Sequence, residues 1–212
     1  MVESGLVGKG GAWRFVDPAS PLAPHFRALT ENLLSSRGGV KSVVVTSPEP
    51  GAGCSSVCLG IGGAIVAMGR RAAVVDCNLE DPGLHRMLGE PNFIGLTSAL
   101  DSGKPLEGYG REIAPGLLAV PTGPVPPDPV ARRESVEFAR AIRSLEIGYD
   151  LVLLDAPVAG TMLASSALCE DFGGVLLVVH ASRTSKSAAR EATDDLLEAD
   201  TNLLGVVLNG AS

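Results

Sequence analysis

The sequence predicts an α/β protein, a mostly parallel sheet with helices on both faces. Three observations carry that expectation. Six short runs of aliphatic and β-branched residues recur along the 212-residue chain, separated by lengths that suit crossover helices. Each run is almost wholly apolar rather than alternating, which is economical only if both faces are buried. Four other segments repeat apolar residues at three- and four-residue steps, the spacing of a helix with one buried face.

In chain order, residues 1–20, "MVESGLVGKGGAWRFVDPAS", are glycine-rich and carry the sole tryptophan, Trp13. They read as an N-terminal arm, ordered where Trp13 or Phe15 docks, ahead of one domain over residues 21–212. Strands are expected at 42–46, 72–76, 117–120, 151–155, 175–179 and 204–208, and helices at 24–35, 55–68, 132–145 and 185–199. The hydroxyls of "RTSKS" supply N-caps for the last helix. The loop "PTGPVPPDPV", residues 121–130, can continue neither element and is expected on the surface.

With 45% hydrophobic and 19% charged residues the chain is neither disordered nor, at a net charge of −7, a general polyanion binder, so nucleic acid is not an expected partner. Cys54, Cys58, Cys77 and Cys169 form no CxxC pair, and no basic, apolar-cored leader opens the chain; reduced cytoplasmic thiols are expected. Residues 50–69 contain no charge and are numerous enough to span a bilayer. They begin in a glycine turn, however, and Arg70-Arg71 leads at once into a strand, so a buried helix is expected instead.

The candidate site lies where "SVVVTS" feeds "PEPGAGCSS". Strand, glycine turn and helix in that order let backbone N–H groups cradle a phosphate. Gly51 and Gly53 allow the close approach, and the Ser55 hydroxyl is placed to serve magnesium. Cys54 stands where a phosphate loop has lysine. Asp76 and Asp155 end apolar strands, where carboxylates can hold a hydrated cation or position an attacking group. Taken singly, a glycine here is a turn former and an Asp a helix cap; loop, Asp76 and Asp155 in sequence make the pattern specific. His25, His85 and His180 are scattered and read as structural or surface residues. Arg183, Lys186 and Arg190 share a helix face, either a solvated face or a replacement cation.

The stretches "VVVTSPEPGAGCSS", "VVDCNLEDPGLHRMLG", "GLTSAL", "VPTGPVPPDP", "YDLVLLDAP" and "NLLGVVLN" together resemble the cytoplasmic kinase domain of bacterial tyrosine autokinases of capsule and exopolysaccharide synthesis, across about residues 17–209. That family belongs to the deviant P-loop ATPases, which include septum-site and partition ATPases. The resemblance implies a P-loop NTPase-like fold, with Gly51, Ala52, Gly53, Cys54, Ser55 and Ser56 as the nucleotide-binding loop. It assigns Asp76 and Asn78 to the second acidic motif, Asp155 to the third, and Asn209 to adenine recognition. Ser55, Asp76 and Asp155 become the magnesium candidates, and Asp76 and Asp155 the catalytic ones. ATP or ADP with Mg is the implied cofactor. A membrane-embedded polysaccharide-export or chain-length regulator, a kinase paralogue, or further copies of the chain are the implied partners. The implied location is cytoplasmic, peripheral to the inner face of the membrane through such a partner.

Departures from the family pattern shape the functional expectation. Cys54 replaces lysine, Ala52 a glutamate, Asn78 an aspartate, and Glu80-Asp81 a pair of arginines. Losing one charged hydrogen bond, about 1.5–3 kcal/mol, weakens phosphate binding roughly ten- to a hundredfold. Losing a donor aimed at developing charge costs a further ~10²–10³ in rate. The tyrosine-rich tail of the family is missing from a sequence whose tyrosines are Tyr109 and Tyr149, the latter expected to be packed. Of the family's Glu-x-x-Arg-x-x-Arg assembly pattern, Pro24, Arg27 and Thr30 keep one charge. The expectation is a catalytically impaired, pseudokinase-like protein with a regulatory or scaffolding role, binding ATP and Mg weakly or not at all. The alternative is an active ATP-dependent kinase or ATPase whose cation comes from Arg183, Lys186 or a partner. A positioning ATPase is weaker, because Glu49 or Pro50 stands where such loops carry an early lysine.

Overall fold

The computed structural model describes residues 11–35, 40–163, 168 and 172–211. Seven strands form one sheet: β1 (Ser42–Thr46), β2 (Ala72–Asp76), β3 (Arg111–Ala114), β4 (Leu117–Val120), β5 (Leu151–Asp155), β6 (Val175–His180) and β7 (Leu203–Asn209). Their order is β3-β4-β2-β5-β1-β6-β7, with β3 antiparallel to β4 and every other pairing parallel. Connection from β1 to β2 passes over β5, so the carboxyl ends of β1, β2 and β5 converge where ligands bind such sheets.

The described helices are α1 (Trp13–Val16), α2 (Ala23–Ser35), α3 (Cys54–Ala67), α4 (Leu84–Leu88), α5 (Leu96–Ser102), α6 (Pro129–Arg133), α7 (Val136–Gly148), α8 (Ala159–Leu163) and α9 (Lys186–Glu198), with a 3-10 turn at Leu106–Tyr109. Two apolar cores explain why the central strands β1, β2, β4 and β5 are buried on both faces, whereas the edge strand β7 leaves Val206 and Leu208 exposed. Val43, Val45, Val74 and Leu153 point to the side of α1–α4, while Val44, Val75, Leu154 and Leu177 point to the side of α5, α7 and α9. Alternation is present in direction and hidden in composition.

The uncharged stretch after residue 50 becomes α3, buried along most of its length. Its glycines are contact points: a methyl on Gly60 would meet the Phe26 ring at 2.3 Å, and one on Gly63 would meet Val16 Cα at 2.9 Å. Among the described residues no helix is long and apolar enough to cross a membrane. Phe15 packs edge-on to Phe26 with ring centroids 6.4 Å apart, and Ala12 N donates to Met87 O. Trp13 is 36% exposed, and the earlier residues 1–10 of the expected arm, like Cys169, lie outside the described residues.

Three sequence expectations change. Strand β3 was not anticipated, because "REIA" has a single large apolar residue; it is an edge strand, turned back along β4 at Gly116 (φ +84°). The helix expected over 132–145 is two, since Asp128 caps α6 through Ala131 N and Ser135 caps α7 through Phe138 N. The proline-rich loop is not wholly superficial. Pro121, Thr122 and Gly123 are buried, with Pro121 O and Thr122 O accepting from Leu96 N and Thr97 N at 2.8 Å. Those bonds satisfy backbone groups that water reaches in an ordinary loop. Tyr149 is packed as expected, with the Arg71 guanidinium 4.5 Å from its ring centroid.

Candidate nucleotide site

Beyond β1 the chain is shaped by two side chains: Thr46 Oγ1 donates to Pro157 O (2.6 Å) and Ser47 Oγ to Glu49 O (2.8 Å). Gly51 (φ +78°) and Gly53 (φ +100°) then take left-handed conformations. A methyl on Gly53 would lie 2.2 Å from Asn209 Nδ2, which donates to Ala52 O at 2.8 Å. The end of β7 thus clamps the loop from behind. Helix α3 starts at Cys54 with no side-chain cap, leaving first-turn N–H groups available to an anion.

Loop residues 50–56 border a cavity of about 340 Å³ together with Asn78, Glu80, Asp81, Arg86 and Asp155. Of the expected residues, Gly51, Ala52, Gly53, Cys54, Ser55, Ser56 and Asp155 border it. Asp76 and Asn209 support it from outside. Ala52 contributes backbone only, its methyl being buried at 1% exposure in the core beside α3.

Ser55 Oγ donates to Asp155 Oδ2. Asp155 faces Asp76 in register across β5 and β2, and burial, reinforced by the Asp76 charge, pushes its pKa well up. Asp76 has both oxygens engaged: Oδ1 accepts from Asn78 N (3.2 Å), Oδ2 from Gly83 N (3.0 Å) and Leu84 N (2.9 Å). Burial raises its pKa to about 6 against those three donors. Asp76 therefore moors the turn into α4, and the hydroxyl and carboxylate aimed at the cavity are those of Ser55 and Asp155. An under-compensated buried carboxylate beside a hydroxyl is a donor set that suits a hard divalent cation. Cys54 supplies no charge: burial, then the Asp155 charge, pushes its thiol up to about 12.

Because both carboxyl pKa values rise on folding, the folded chain holds protons that the unfolded chain releases near pH ~4. Their stabilisation is complete below that pH and is lost as pH climbs through about 6 for Asp76 and through the raised pKa of Asp155. Asp155→Asn removes the buried charge and keeps an acceptor for Ser55. Without nucleotide or Mg²⁺ at pH 8, it should raise the melting temperature by ~1–8 °C, the size of a single stabilising substitution of about 0.5–2 kcal/mol. A thermal melt showing a decrease would contradict this assignment of the strain.

Glu80 and Asp81 do not present bare negative charge, contrary to their reading as a charge reversal. Arg133 Nη1 and Nη2 each donate to Glu80 at 2.6 Å, and Arg86 Nη2 to Asp81 at 3.0 Å. Burial works to raise the pKa of Glu80, but the Arg133 bonds and charge outweigh it and hold the group below the usual range. Sequence reasoning missed both arginines. Arg86 was discoverable as a cation five residues after Asp81; nothing local links residues 80 and 133. Arg183 Nη1 lies 3.5 Å from where a methyl on Gly51 would stand, while Lys186 and Arg190 are exposed on α9. His25 is exposed, His180 bonds Ser182, and His85 Nδ1 is buried without a partner. Among the described residues no three His, Cys, Asp or Glu side chains gather as a metal cluster.

No protein-family model matches the chain. It is 27% identical over 197 residues to the tyrosine-protein kinase YwqD of Bacillus subtilis, covering 92% of this chain and 83% of YwqD. With EpsB of Ralstonia nicotianae the identity is 30% over 195 residues, 91% of this chain but only 26% of EpsB. The chimerical protein CapA2B2 superposes with a TM-score of 0.85 at 28% identity, over 95% of this chain and 90% of that one. This chain is a relative of the bacterial tyrosine-protein kinases. The kinase relative spans about a quarter of EpsB and most of YwqD. A ParA family ATPase from Chlorobium tepidum, at 17% identity and a TM-score of 0.67 over 80% of this chain and 73% of its own, shares the fold alone. The architecture is that of the P-loop ATPases, as expected.

Proposed function

We propose that this chain is a catalytically impaired, pseudokinase-like relative of the tyrosine autokinases, with a regulatory or scaffolding role in exopolysaccharide or capsule synthesis and export. The observation that carries the reading is Cys54, an uncharged thiol at the first residue of α3, bordering the cavity where outer phosphates need a cation. Gly51 to Ser56 would receive the phosphates, and Ser55 with Asp155 would hold Mg²⁺, which supplies charge neutralisation for the phosphate oxygens when bound. Partners in this reading are a membrane-embedded chain-length regulator or an active kinase paralogue. They would hold the chain at the inner face of the membrane; Trp13, Phe15 and the exposed part of the proline-rich loop are the contact candidates.

Calorimetric titration tests the nucleotide half. MgATP should bind in the high-micromolar to millimolar range, and a low-micromolar dissociation constant would contradict the reading. A second reading, an active enzyme with a substitute cation, draws support from Arg183 beside Gly51. It requires turnover that Arg183→Ala abolishes.

A further inference from the structure

The cavity contains a cation that the Cys54 position does not supply, and it comes from α4. Arg86 borders the same cavity as Ser55 and Asp155. A methyl on Gly83 would sit 3.2 Å from Ser55 Oγ and 4.0 Å from Arg86 Nη2, so hydroxyl and guanidinium flank one small glycine. The mount is firm, because Gly83 N and Leu84 N, at the start of α4, are held by Asp76 Oδ2. The guanidinium itself is available. Its ion partner is Asp81, and the two side chains are 60% and 71% exposed, a pair worth about 0–1 kcal/mol that a phosphate readily displaces. Arg133 offers no such freedom, being fully buried and held by both Glu80 oxygens.

We propose that Arg86 is the cation for the outer phosphates of a polyphosphate ligand, a nucleoside di- or triphosphate or pyrophosphate, exchanging Asp81 for phosphate oxygens when the ligand enters. The inference rests on the reading of residues 51–56 as a phosphate loop. It assigns the two arginines different ends of the ligand: Arg86 lies on the Ser55 side, and Arg183 on the Gly51 side. A guanidinium also grips phosphate through two parallel N–H bonds, where lysine gives a point charge.

Calorimetry with inorganic pyrophosphate, MgADP and AMP at low salt tests it on the full chain. Arg86→Gln should weaken pyrophosphate and MgADP by about tenfold or more, the loss of one charged hydrogen bond. AMP, which lacks the outer phosphates, should bind the variant as it binds the wild type. Arg86→Lys should recover most of the loss. Asp81→Asn, which releases the guanidinium, should tighten pyrophosphate by about two- to fivefold. A melting temperature unchanged in Arg86→Gln confirms that an exposed side chain was altered without loss of fold. Wild-type binding that survives Arg86→Gln overturns the assignment of Arg86 and leaves the phosphate loop standing. Wild-type protein that binds neither pyrophosphate nor MgADP at millimolar concentration overturns the phosphate-loop reading and the inference with it.

Discussion

Glu80→Ala should destabilise the fold by about 3–5 kcal/mol, the cost of leaving a buried charge without its partner. Arg133 is fully buried, its two Nη atoms each donate to Glu80, and its Nε has no partner. Removing the carboxylate leaves the guanidinium without its counter-charge. The melting temperature should fall by about 6–20 °C. Arg133→Ala should cost less, because the Glu80 side chain is 34% exposed and recovers water when released. The double variant Glu80→Ala/Arg133→Met, which replaces the ion pair with apolar groups, should recover part of the loss. Urea unfolding at pH 7 measures all three. A loss below 1 kcal/mol in Glu80→Ala, or a larger one in Arg133→Ala, would contradict the account of this pair.

The second large effect is on rate. Phosphoryl transfer is almost entirely positioning and electrostatic stabilisation, so a missing donor at the transferring phosphate has no covalent step to hide behind. Transfer from MgATP by this chain should run ~10²–10³-fold slower than by a kinase whose phosphate loop carries the lysine. Asp155 and Ser55 remain beside one another, and in the proposed reading they would hold Mg²⁺ with no lysine from the loop to act on the phosphate that moves. Arg86 does not replace the lysine here. It borders the cavity from α4 rather than from the loop, and the proposed role is in binding, not in following a transferred phosphate.

Much of the fold was legible because strand apolarity is an interior property. Val43 to Val45 alternate between two cores and are all fully buried, so the run reads as a strand whichever core each residue joins. Strand β3 was not legible, because an exposed edge strand demands little of its sequence. The division of α6 from α7 was written in Asp128 and Ser135, but "VARRESVEFARAI" keeps helical spacing across the break, and only the caps betray it. In the site, the loop glycines and both strand-end aspartates were visible as residue types. Which way each carboxylate turns was not, and it separates Asp76, spent on three backbone N–H groups, from Asp155, aimed at the cavity. The Glu80–Arg133 bond joins segments 53 residues apart, beyond the reach of any local pattern. Read locally, Glu80-Asp81 gave a negative patch; in the fold each carboxylate carries its own arginine.

The central claim, that chemistry fails at Cys54 while the site's shape remains, is tested most directly by transfer of labelled γ-phosphate from saturating MgATP to protein and to water. Wild type, Asp155→Asn and YwqD are run side by side, with Cys54→Lys as the charge-restoring variant. The account predicts a wild-type rate indistinguishable from Asp155→Asn, about 10²–10³-fold below YwqD, with Cys54→Lys rising above wild type. Wild-type transfer at the rate of YwqD, abolished by Asp155→Asn, would contradict it and establish an active kinase or ATPase.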